Sequence, residues 1–230
     1  MLKNRIKNTL IGTPLEPIAR SIYKQFSQRG KLDFTTSSDY WEQRYLDGGN
    51  SGAGSYGRLA LYKAEVLNDF VAQHEIDSVI EFGSGDGNQL NYAKYPAYTG
   101  VDVSKKAVLD CQARFAEDTS KTFVTLAAYE GQKADLALSL DVIYHLVEDA
   151  TYENYMETLY DAAKRFVIVY TSNKNEQHEA EHVRHRRFTD WVDQKRKDFR
   201  LTAHLPNRFP FDTKNPDNTS FADFFIFERL

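Results

Sequence analysis

The sequence predicts an α/β protein: a doubly wound, seven-stranded, mostly parallel sheet with an antiparallel last strand, preceded by an N-terminal helical arm. Three observations carry this. From residue 58 onward, short apolar runs bounded by turn residues alternate with stretches of helical periodicity. A glycine turn, Gly83-Ser-Gly85-Asp-Gly87, directly follows the first of those runs. The last two runs, 199–204 and 221–228, are joined by a Pro/Asn-rich loop at 206–219 with no helix, which suggests one antiparallel member.

In chain order, residues 1–57 read as an arm and a glycine-rich lid, and 58–230 as the sheet domain. Within 1–31, Leu2, Ile6 and Leu10, then Ile18, Ile22 and Phe26, fall on helical faces broken at Gly12-Thr-Pro14. Pro17 suits the first turn of the second helix. This arm is either an accessory packing on the domain or a helix able to touch a partner or a membrane surface. A further helix starts at Tyr40-Trp41, capped by Ser37, Ser38 or Asp39. The stretch Gly48–Gly57 reads as a flexible linker or as a lid that orders over a ligand; Trp41, Tyr45 and Tyr56 beside the glycines favour the lid.

The domain then runs as a helix at 58–74, strand one at Ser78–Phe82, a helix after Gly87, and strand two at Tyr98–Val103. A helix at 105–116 follows, capped by Ser104. Strands three and four fall at Thr122–Leu126 and Ala134–Leu140, the latter an apolar run of the buried parallel type. After a helix at 150–164 comes strand five, Phe166–Tyr170. A polar loop rich in His and Arg (173–187), a short helix (188–196) and strands six and seven complete the chain.

Composition sets the bounds. A chain of 230 residues can bury the core of one such domain. The net charge of −4 argues against a general nucleic-acid binder. Charge is uneven: residues 1–31 carry seven basic residues against Glu16, a net +6, which leaves −10 on the remainder. The single cysteine, Cys111, permits no internal disulfide and fits a reducing cytoplasm; it reads as a buried helix-face residue. No apolar run approaches the ~18 residues a membrane span needs. The basic start lacks the apolar stretch of a signal peptide.

Doubly wound sheets bind ligands at the carboxyl ends of their strands, where the strand order reverses. The glycine turn after strand one and Asp102 at the end of strand two belong there together. An acid at that position suits a pair of ribose hydroxyls. The dinucleotide pattern G-x-G-x-x-G is not met, because position 88 is Asn. Glu81, before the first glycine, adds a negative charge that a pyrophosphate would not tolerate well.

Glu81-Phe-Gly83-Ser84-Gly85-Asp-Gly87 resembles the first motif of class I S-adenosylmethionine-dependent methyltransferases. Asp102 is similar to their second motif, and Ser139-Leu-Asp141-Val-Ile-Tyr-His145 to their fourth-strand motif. The resemblance covers about residues 58–230. It implies S-adenosyl-L-methionine as cofactor, with the turn at Gly83–Gly87 along the methionine part, Asp102 on the ribose, Val103 on the adenine and Asp141 facing the sulfonium. Two departures stand out. Strand three is followed by Leu126-Ala-Ala-Tyr129, without the acid expected for the adenine amino group. Strand four lacks the Pro-Pro-Tyr ending of nucleobase amino-methyltransferases. Gly12-Thr-Pro-Leu-Glu-Pro17 and the block from Tyr40 to Gly57 loosely resemble methyltransferases of bacterial surface-polysaccharide clusters, which points to a sugar, nucleotide-sugar or phosphorylated capsule or O-antigen precursor as acceptor.

His145, just past strand four, is then the candidate general base, with Asp141 orienting groups beside it. Arg58, after the lid, is a candidate partner for the cofactor carboxylate. Tyr56, His182, His185 and Arg186 are candidate acceptor contacts, the last three in an Arg/His loop suited to an anion. His178-Glu-Ala-Glu-His182 matches H-E-x-x-H literally, but in a polar loop instead of a helix lining a cleft. A divalent metal held by these His and carboxylates is an alternative to anion binding, as is a merely solvated loop. Rival readings are a non-catalytic cofactor-binding subunit of a glycan-assembly complex and a nicotinamide oxidoreductase. Oligomeric state is not set by the sequence.

Overall fold

The structure, a computed structural model, describes residues 34–230. The helices and basic arm expected within 1–31 lie outside the described residues. Residues 34–57 fold within the same compact unit as the sheet.

Helix α1 spans Ser37–Leu46. Its cap is Thr36, one residue before the three expected; the Thr36 hydroxyl accepts from the Asp39 amide at 3.1 Å. Helix α2 spans Gly57–Gln73, and its Leu59, Leu67, Phe70 and Val71 are buried on one face. Strands β1 (Val79–Phe82), β2 (Tyr98–Asp102), β3 (Lys121–Thr125), β4 (Ala134–Leu140), β5 (Ala163–Thr171), β6 (Phe199–Leu205) and β7 (Asp223–Arg229) form one sheet in the order β3-β2-β1-β4-β5-β7-β6. The first five strands are parallel, and β7 lies antiparallel between β5 and β6. The expected doubly wound sheet is therefore present, with its order reversing between β1 and β4.

Helix α3 (Lys105–Arg114), capped by Ser104, packs with α2 against one face of the sheet. Helices α4 (Asp149–Ala162) and α5 (Phe188–Lys195) cover the other. Cys111 is fully buried on α3, as its helix-face reading expects. Among the described residues, no helix is long and apolar enough to cross a membrane.

One expectation fails. The segment after Gly87 forms only a short 3-10 turn, Gln89–Asn91, not a helix. The side chains there compete with helical hydrogen bonding. Asn68 of α2 donates to the Tyr92 carbonyl and accepts from the Lys94 amide, at 2.9 and 2.8 Å, and Asn91 bonds back to Asn88. Pro96 then closes the segment. The β3–β4 connection is also without an α-helix, reduced to a 3-10 turn at Leu126–Ala128.

Candidate active-site cleft

The glycine turn sits where the strand order reverses. Gly83 and Gly85 take left-handed backbone angles, φ +85° and +59°. A Cβ at Gly83 would meet Val142 at 2.4 Å, and one at Gly85 would meet the Ser51 hydroxyl at 2.3 Å. Both positions therefore require glycine on two counts. Asp102 braces the turn from β2: its carboxylate accepts from the Gly85 amide at 2.8 Å and the Ser104 amide at 2.9 Å. Burial nonetheless raises the Asp102 pKa. Glu81 is buried beside it and accepts from the Tyr98 hydroxyl at 2.7 Å. Burial pushes Glu81 up to about 7, against the opposing pull of the Tyr98 hydrogen bond and the Lys63 charge.

These groups open into a cavity of about 350 Å³. Its walls come from the ends of β1, β2 and β4, from α1, from the glycine-rich segment and from α4. Val103 and Leu126, 40% and 41% exposed, present apolar surface to it. Trp41 and Tyr45 line it from α1.

The glycine-rich segment closes onto this cavity. The Ser51 amide and the Tyr56 hydroxyl both donate to the Asp86 carboxylate, at 3.0 and 2.7 Å, while the Asp86 amide donates to the Ser51 hydroxyl. Asn88 donates to the Ser55 carbonyl at 2.7 Å. Gly54 rests on Asp141, where a Cβ would lie 2.7 Å from the carboxylate. Tyr56 thus latches the segment to the glycine turn from outside the cavity lining.

At the end of β4, Asp141 takes a left-handed backbone (φ +61°). Its carboxylate accepts from Lys63 Nζ at 2.7 Å and from the Tyr144 hydroxyl at 2.9 Å. Lys63 lines the cavity although its sequence gave no sign of it: a lysine on a predicted helix, its partner distant along the chain. His145 lines the cavity one turn further on. Its Nδ1 lies 3.1 Å from the His182 carbonyl. A carbonyl only accepts, so Nδ1 carries the hydrogen and Nε2 keeps the lone pair. Burial holds the His145 pKa down at about 4.

Of the residues singled out in the sequence, Glu81, Gly83, Ser84, Gly85, Asp102, Val103, Asp141 and His145 all line this one cavity. Gly87 lies behind it, against Cys111 and Phe115. Arg58 does not reach it: it is exposed on α2, where its guanidinium donates to the Asn218 carbonyl at 2.6 Å and stacks on Phe209, while its neighbours Leu59 and Ala60 take the buried side of the same turn. His185 is buried against the Ser172 hydroxyl, 2.6 Å away, and Arg186 is committed to the Leu146 and Val147 carbonyls and to Asp149. Both are outside the cavity lining, since the loop folds back on the start of α4. His182 stacks between Tyr40, at 4.4 Å, and His145, at 5.5 Å, and backs the cavity instead of lining it. The H-E-x-x-H residues lie in a turn and not on a helix. Among the described residues, no group of three His, Cys, Asp or Glu side chains is arranged to hold a metal ion.

The sheet order, the antiparallel β7 and a cleft at the β1/β4 reversal define the Rossmann-like fold of class I methyltransferases. No protein-family model and no curated protein matches the chain. Solved structures match in fold. The methyltransferase domain of bacterial CtHen1 is 18% identical with a TM-score of 0.56, over 74% of this chain and 97% of that one. Magnesium protoporphyrin IX methyltransferase (ChlM) from Synechocystis PCC 6803 with bound SAM is 17% identical with a TM-score of 0.53, over 99% and 97%. N-methyltransferase NodS from Bradyrhizobium japonicum WM9 is 11% identical with a TM-score of 0.58, over 75% and 95%.

Proposed function

We propose that this chain is an S-adenosylmethionine-dependent methyltransferase acting on a hydroxyl of a small polar acceptor. The observation that carries this reading is the convergence, in one cavity, of the glycine turn, the Asp102 carboxylate, the apolar Val103 and an unprotonated His145. Asp102 keeps acceptor lone pairs beyond its two backbone bonds, which suits a ribose diol. Val103 offers a flat apolar contact for the base. Lys63 has two N–H donors beyond its bond to Asp141, so it replaces Arg58 as the candidate partner for the cofactor carboxylate.

When bound, the cofactor supplies a methyl group on a sulfonium. His145 Nε2 would take the acceptor's hydroxyl proton as the oxygen–carbon bond forms and the carbon–sulfur bond breaks. A base whose conjugate acid has a pKa near 4 is adequate for this, because a hydroxyl becomes strongly acidic as its oxygen is alkylated. The His182 carbonyl fixes the tautomer. Ser38 and Trp41 on the same wall supply a hydroxyl and an indole face, which suits a sugar ring or a nucleotide sugar; the neighbouring Ser37 hydroxyl is taken by Glu148 and the Val147 amide. The phosphorylated capsule or O-antigen precursor has less support, because Arg186 and His185 are engaged within the chain.

The test has two stages. S-adenosylhomocysteine should raise the melting temperature and NAD(H) should not; the reverse result would sink the reading. Methyl transfer is then assayed over neutral sugars, nucleotide sugars and phosphorylated sugars, with His145→Ala as the catalytic control.

A further inference from the structure

The connection from β3 to β4 is only a 3-10 turn, and this uncovers a face of α4. Thr151, Asn154, Tyr155 and Thr158 share that face by helical spacing, and all four line the cavity together with Val103 and Leu126. Two of them are already engaged. The Tyr155 hydroxyl bonds to the Phe82 carbonyl and the Ser139 hydroxyl, at 2.9 and 2.7 Å. The Thr158 hydroxyl donates to the Asn154 carbonyl of its own helix at 2.7 Å. Asn154 is exposed at the rim of this cavity, and among the described residues only its backbone carbonyl is engaged by a side chain, so its amide is open to a ligand.

Val103 and Leu126 leave apolar surface at the part of the cavity where the turn after β3 meets the end of β2. A flat heteroaromatic ring can be held there by dispersion, but neither side chain can read its edge. The residues after β3, Leu126-Ala-Ala, carry no polar side chain. A carboxamide offers an acceptor and a donor side by side, which matches the 6-amino group and N1 of adenine. We infer that Asn154 reads the Watson–Crick edge of the cofactor's base, in the place of the acid absent after β3. The inference rests on the S-adenosylmethionine reading above and adds a specificity residue to it.

The experiment is a calorimetric cycle on the full chain. Two ligands are compared, S-adenosylhomocysteine and its purine-riboside analogue lacking the 6-amino group. Two proteins are compared, wild type and Asn154→Ala. One neutral hydrogen bond corresponds to a preference of roughly 2- to 13-fold. Wild type should prefer the adenine ligand by that factor, and Asn154→Ala should bind both ligands alike. Alanine is the better helix former, so α4 should stay folded; matching circular dichroism and melting temperature verify that. An undiminished adenine preference in Asn154→Ala overturns the role of Asn154 and leaves the methyltransferase reading intact. Failure of wild type to bind S-adenosylhomocysteine overturns both.

Discussion

Lys63 Nζ lies 2.7 Å from Asp141 Oδ2, with the two side chains 1% and 13% exposed. The pair joins the middle of α2 to the end of β4, and the Tyr144 hydroxyl completes the carboxylate. Removing one member leaves the other charged and buried, which typically costs about 3–5 kcal/mol. Lys63→Met should therefore unfold at markedly lower urea, and Lys63→Met with Asp141→Asn should recover more than half of the loss. Additive losses in the double variant would show that the two side chains are not coupled.

Glu81 makes a prediction with a definite sign. Its folded pKa of about 7 lies above the ordinary 4.5. Between those values the folded chain holds a proton that the unfolded chain has released, so this group's contribution to stability falls as pH rises from 4.5 to 7. Glu81→Gln keeps an acceptor for the Tyr98 hydroxyl and removes the titration. Relative to wild type it should gain stability across that window, up to about 3 kcal/mol by pH 8. Urea unfolding of both proteins from pH 5 to pH 8 reads the difference; a constant difference would rule out a raised Glu81 pKa.

What was legible in the sequence is what depends on local pattern. All seven strands follow from apolar runs between turn residues, and the glycine turn and Asp102 follow from their offsets to β1 and β2. What was not legible depends on partners far along the chain. Nothing near Lys63 announces Asp141, and nothing near Arg186 announces the carbonyls of residues 146 and 147 that absorb it. The missing helix after Gly87 is a similar case, because Asn68, on another element, takes the backbone groups a helix would have used.

The latch on the glycine-rich segment gives a third prediction. Asp86 holds Ser51 and Tyr56 through one carboxylate oxygen. Asp86→Ala removes both bonds while leaving the core of the sheet untouched. With two bonds lost, local opening of residues 48–57 should become roughly 5- to 150-fold more frequent. Chymotrypsin cleavage after Tyr56 under native conditions measures this opening. A cleavage rate equal to that of wild type would show that Asp86 does not hold the segment shut.

His145 titrates in the opposite sense to Glu81, and the contrast separates its catalytic role from its structural one. Its folded pKa of about 4 lies below the ordinary 6.5. As pH falls through that interval, the unfolded chain takes up a proton that the folded chain refuses, so stability is lost toward acid. His145→Gln removes that loss. Its stability relative to wild type should rise as pH drops from 6.5 to 4, where Glu81→Gln gains in the other direction. The rate has its own signature. Because His145 is already unprotonated at neutral pH, wild-type turnover should be insensitive to this group from pH 6 to 8 and should fall only as pH approaches 4. His145→Gln should lower turnover about 10²- to 10⁴-fold, the usual weight of a general base. Affinity for S-adenosylhomocysteine should stay within a factor of about two, because the base acts on the acceptor and not on the cofactor. A variant that shows the stability change but keeps full turnover would confine His145 to its packing, edge-on to Trp41 and stacked on His182.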